Sequence, residues 1–217
     1  MAGRVAASVP PERFLPRFAA EPPQEGVPYG RWADRLRQEL LGACLSLDTE
    51  GEDLGEPGEI SWYPDRSWHG HVYVPATART STGLELFGYV RHPLAEGGGE
   101  PRDLTAQVDY TDETAERHPE WTMDLCDEVV GRWRGEEGAE AAMTLVWGRP
   151  LVTGGRAVTA ELGEVTVDQC ALRDDRFTLL APDDYRDDLL AIKLWSARGQ
   201  ELAGESLYGD EADESAQ

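Results

Sequence analysis

Apolar side chains recur along this chain first at helical spacing and then at strand spacing. In "GRWADRLRQELLGACLSL", Trp32, Leu36, Leu40, Cys44 and Leu47 fall on one face, with Arg35, Arg37, Gln38 and Glu39 between them, which predicts an amphipathic helix. The period then shortens to two. Trp68, Gly70, Val72 and Val74 alternate with His69, His71 and Tyr73, and Leu84, Leu86, Gly88 and Val90 alternate with Glu85, Phe87, Tyr89 and Arg91. Two strands of a hairpin are predicted. "DLTAQVDY" adds a short strand. "HPEWTMDLCDEVVGRWR" returns to helical spacing, with Pro119 suited to a first turn, and predicts a second helix. Beyond it, "AMTLVWGRP", "RAVTAEL", "EVTVDQC", "RFTLLAP" and "LLAIKLWS" read as strands.

The two predicted helices align with each other. Trp32, Leu36, Glu39, Leu40, Leu41 and Gly42 share offsets with Trp121, Leu125, Glu128, Val129, Val130 and Gly131, a displacement of 89 residues. A Gly/Glu-rich loop follows each copy, and then a strand ending near Trp62 or Trp147. Amphipathic helices share Leu and Val by necessity, but Trp, Glu and Gly in register go beyond it. The expected fold class is therefore α+β, with two similar halves arising by tandem duplication, each a helix followed by antiparallel strands. The halves span 29–110 and 111–208. Residues 1–28 hold six of the fourteen prolines and read as an irregular arm, and 209–217 reads as a disordered acidic tail.

Charge narrows the partners. There are 42 acidic residues against 20 basic ones, for a net −22. Nucleic-acid affinity rests on cations displacing counterions, so direct nucleic-acid binding is not expected, and neither is an anionic membrane surface. Another protein, a basic one in particular, is the partner this charge permits. Lys193 is the sole lysine, so almost every cation is Arg. Alongside the Ala, Gly and Pro content this reads as GC-rich coding, as in a bacterial genome, and weakens any inference from a single Arg. Cys44, Cys126 and Cys170 are far apart and form no CxxC, and no apolar run resembles a signal or a membrane span. A cytoplasmic protein with reduced thiols is expected.

Candidate chemistry centres on "SWHGHVYVP". On a strand, His69 and His71 would project from one face, near enough to share a metal ion. A third ligand would have to come from Asp65, His92 or Cys170, none at a diagnostic spacing. The competing reading is a polar strand face. "APDDYRDDLL" (181–190) clusters carboxylates as a Ca²⁺ loop does, but lacks the Gly and Glu of an EF-hand. It also fits an ordinary turn. GxSxG, HExxH, P-loop and GxGxxG patterns are absent, and no catalytic residue and no cofactor is assigned. The leading expectation is a non-enzymatic binding or regulatory protein acting through protein–protein contact, with His71, Tyr73, Phe87 and Tyr89 as the contact face. The alternatives are a metal-dependent enzyme built on His69 and His71, and an acidic mimic of nucleic acid.

Overall fold

The computed structural model describes residues 32–49, 51–94, 100–134, 140–163, 165–183 and 189–207. The arm at 1–28, the tail at 209–217 and most of the carboxylate cluster at 184–188 lie outside them. Among the described residues one helix, α1 (Ala33–Leu45), precedes twelve strands. The first sheet contains β1 (Pro57–Trp62), β2 (Arg66–Trp68), β3 (His71–Thr80), β4 (Glu85–Pro93) and β5 (Thr105–Thr111), ordered β1-β3-β4-β5 with β2 also on β3. The second contains β6 (Met123–Arg134), β7 (Glu140–Pro150) and β10 (Phe177–Asp183), ordered β10-β7-β6. The third contains β8 (Gly155–Leu162), β9 (Val165–Ala171), β11 (Leu190–Ser196) and β12 (Glu201–Ser206), ordered β12-β11-β8-β9. Every ladder is antiparallel.

Side-chain alternation stacks these elements into layers. On β3 and β4, Val72, Val74, Ala76 and Val90 turn one way and pack under Leu36 and Leu40 of α1. Tyr73, Phe87 and Tyr89 turn the other way, onto Met143, Leu145 and Trp147 of β7 and Leu180 of β10. The far side of the second sheet offers Val146, Phe177, Leu179 and Ala181 to Val158, Ala160, Ile192 and Leu194 of the third. The second sheet is thus covered on both faces. For that reason "TLVW" and "FTLLAP" read as nearly continuous apolar runs. Among the described residues no helix is long and apolar enough to cross a membrane.

The expected α+β pair of similar halves is not what forms. The predicted second helix is strand β6, so the shared W-x-x-x-L-x-x-E motif lies on a helix in one copy and across a strand in the other. A bulge explains the misreading. Pairing with β7 steps from Val129↔Thr144 to Gly131↔Met143, leaving one extra residue on β6. Before the bulge Cys126 faces the first sheet; after it Trp133 does, with Val130 between them in the same cluster. The bulge therefore puts three strand residues at offsets of four and three on one face, which is helical spacing.

The first and third sheets also meet at a buried ion pair. Arg66 of β2 and Asp168 of β9 are 1% and 2% exposed and bonded to each other. The same carboxylate accepts the Leu180 backbone N–H on the edge of β10 at 2.8 Å. Burial pushes the Asp168 carboxyl above its usual range, although Arg66 and two backbone N–H groups oppose this. Such an intact pair is a weak source of net stability, whereas removing either partner would leave an uncompensated buried charge.

Candidate functional site

The histidine pair separates on folding. Strands β2 and β3 are joined by a two-residue turn in which His69 and Gly70 have φ of 50° and 76°, the positive values of a type I′ hairpin turn. His69 is therefore exposed in the turn, and only His71 starts a strand. The His71 Nδ1–H donates to the His69 carbonyl at 3.2 Å. His92 lies on the neighbouring strand opposite Val72, and Cys170 belongs to the third sheet. Among the described residues no group of three or more His, Cys, Asp or Glu is placed to hold a metal ion.

The expected contact face is interior. Tyr73 and Tyr89 are 2% and 6% exposed, packed edge to face with ring centroids 5.5 Å apart. Phe87 sits 6.4 Å from the Trp147 ring. The face opposite α1 is covered by the second sheet, so Tyr73 and Tyr89 serve as core; Phe87 packs against the same cluster but is only partly buried, as is His71.

Followed along the strands, that same interface changes character. On β3 the inner positions run Tyr73, Pro75, Thr77, Arg79; on β4 they run Tyr89, Phe87, Glu85. On β7 they run Leu145, Trp147, Arg149, on β6 backwards Cys126, Asp124, and on β10 backwards Leu180, Thr178, then Arg176 just before the strand. Five strands thus end their apolar inner faces in a charge, all at one end of the sandwich. The five charged residues, Arg79, Glu85, Arg149, Asp124 and Arg176, with Glu59, Ser61, Tyr63, Thr77 and Glu116, line a cleft of about 620 Å³ counting its open mouth. Sequence reasoning missed it, because each charge sits on an ordinary alternating strand and only the stacking of two sheets brings them together.

The cleft's charges partly pair. Arg149 Nε donates to Asp124 Oδ2 at 3.0 Å across the β6–β7 ladder, and Arg79 Nη2 meets Glu116 Oε2 at 2.9 Å. Arg176 Nη1 donates to the Trp62 carbonyl at 2.8 Å and stands 5.6 Å over the Tyr63 ring, a cation–π placement. Tyr63 is 4% exposed, with its hydroxyl 3.4 Å from Thr77 Oγ1. Burial pushes the Tyr63 phenol up to about 12, so at neutral pH it keeps its proton and can donate. Burial, reinforced by the Asp124 carboxylate, raises Glu85, while Arg149 and Thr77 pull the other way. A carboxyl raised by desolvation and a like charge, inside a cleft, marks a functional-site candidate.

No family model, curated protein or solved structure matches this chain.

Proposed function

We propose that this protein is a non-enzymatic binding protein and that the cleft between its first two sheets is where it binds. One observation carries the reading: a cleft of about 620 Å³ whose wall joins three arginines and four carboxylates to a proton-bearing Tyr63. With the open mouth set aside the enclosed space is about 210 Å³, below the roughly 300–1,000 Å³ of drug-sized ligand pockets and suited to a small charged compound. Charges held this way are costly to keep together in the empty protein, as the raised Glu85 carboxyl illustrates. Sites selected for binding carry such costs more often than sites selected for stability.

The test is a titration of isotope-labelled protein with small charged compounds, read through backbone amide NMR signals. Saturable shifts are expected at Thr77, Arg79, Glu85 and Asp124, and they should vanish in Arg176→Ala. Shifts confined to other surfaces, or turnover of a compound without stable binding, would overturn the reading.

A further inference from the structure

A second opening lies on the other side of the second sheet. The second and third sheets close against each other where β9 meets β10, through Asp168 and the Leu180 N–H. On the opposite side β6 ends one sheet and β12 ends the other, and the seam between them stays open. Thr122, just before β6, ties one rim by donating to Glu205 Oε1 at 2.6 Å. The space left is about 290 Å³, or about 680 Å³ counting its mouth. Strand alternation explains what lines it. The inner face of β6 runs Met123, Leu125, Asp127, and that of β12 runs Ala203, Glu205, with Leu207 just beyond. Each strand thus sets one carboxylate in a row that otherwise feeds the core shared by these two sheets. Trp121 forms a further wall, its ring held by stacking on His118 with centroids 4.5 Å apart.

Two carboxylates and four apolar side chains line this seam, with no cation among them. Asp127 is the costly one. Burial raises its carboxyl, Asp183 adds to the effect, and neither a positive group nor a hydrogen bond opposes them. Glu205 gives one oxygen to Thr122 and keeps the other. The residues after Leu207 bring Asp210, Glu211, Asp213 and Glu214 but no Lys or Arg, so the segment that follows supplies no counter-charge. An anion would meet only like charge here, and a neutral apolar molecule would leave Asp127 desolvated and unpaired. An organic ammonium ion answers each feature. Its N–H groups meet Asp127 and Glu205, its apolar body meets Met123, Leu125 and Leu207, and Trp121 offers an indole to the charge. A net charge of −22 draws such a cation from solution. We propose that the seam between β6 and β12 is a second binding site, one that takes a small organic ammonium ion with a compact apolar body. It stands apart from the cleft between the first two sheets, and neither reading rests on the other. Inward charges on edge strands also deter edge-to-edge pairing, a role that asks for no ligand and is separated by the test.

The probes are phenethylammonium, its neutral counterpart phenethyl alcohol, the anion hydrocinnamate, and ammonium itself. Each is titrated into the full chain at neutral pH, by calorimetry and by amide NMR. Phenethylammonium is expected to bind saturably, with shifts at Leu125, Asp127 and Leu207. The alcohol should bind about tenfold more weakly or worse, the scale of one lost charge-assisted hydrogen bond. Ammonium, with no apolar body, should bind weakly, and hydrocinnamate should move none of these signals. In Asp127→Asn the amine should fall about tenfold, to the level of the alcohol, while the alcohol keeps its affinity. Equal binding of amine and alcohol to the parent would overturn the proposal. So would an unchanged amine affinity in Asp127→Asn, the result expected if Asp127 only guards a strand edge. Amine shifts confined to Thr77 and Glu85 would overturn it too, while leaving the first cleft as a binding site. Shifts at Asp127 and Leu207 with none at Thr77 and Glu85 would support it whatever the fate of the first cleft. The probe series on the parent protein decides the question should Asp127→Asn fail to fold.

Discussion

Glu85 is the residue at which function and stability pull apart most visibly. Desolvation and the nearby Asp124 raise its carboxyl above the ordinary range, so the folded protein holds this proton more tightly than the unfolded chain does. By linkage, the contribution favours folding fully below the unfolded carboxyl range, around pH 4, and is lost as pH rises through the folded value. Glu85→Gln is uncharged throughout and escapes that loss. It should melt above the parent at neutral pH, with the difference closing as pH falls below about 4. Melting curves across pH check this. A variant less stable at neutral pH would mean that Arg79 and Arg149 outweigh desolvation and that Glu85 is held as a structural ion pair. None of this was visible from composition, because one raised carboxylate among 42 acidic residues has no signature until its neighbours in space are known.

At the level of elements, spacing identified what local geometry determines and failed where one residue breaks a period. The stripe through Leu36 and Leu40 does form α1, and those two side chains are buried. The alternation through Val72, Val74, Leu86 and Val90 does form β3 and β4. What misled was β6, whose bulge reproduces helical offsets in Cys126, Val130 and Trp133, and the inference of two similar halves went with it. Gly131 belongs to the shared motif, but it has a local reason to be glycine. A Cβ built there falls on the Trp68 ring of β2, and a packed indole cannot yield as the tip of a long side chain does. Gly131→Ala should cost about 1–3 kcal/mol, the usual range for overpacking a core, measured by denaturant unfolding. The corresponding glycine of the helix, Gly42, has nothing within 4 Å of a built Cβ, and Gly42→Ala should instead be neutral or stabilising. Equal effects at the two sites would show that the bulge tolerates a side chain.

Across the whole molecule, the second sheet is the layer on which everything else depends. Its β7 contributes Met143, Leu145 and Trp147 to the core shared with the first sheet, and Val146 to the core shared with the third. The first sheet alone would leave Tyr73, Phe87 and Tyr89 bare, and the third would leave Val158, Ile192 and Leu194 bare. Neither outer sheet can bury its inner face by itself, so the layers should open as one cooperative unit rather than as sequential halves. Leu145→Ala offers the test. This residue is fully buried and faces only the first sheet, and its truncation should cost about 2–5 kcal/mol. If the layers are one unit, native-state hydrogen exchange will show slow amides in β3 and β4 and in β8 and β11 losing the same amount of protection. Loss in the first sheet alone would mean that the second and third sheets fold without it. The cleft would then lie between two independently stable bodies, and its width would vary with their motion instead of being set by the packing of the two sheets.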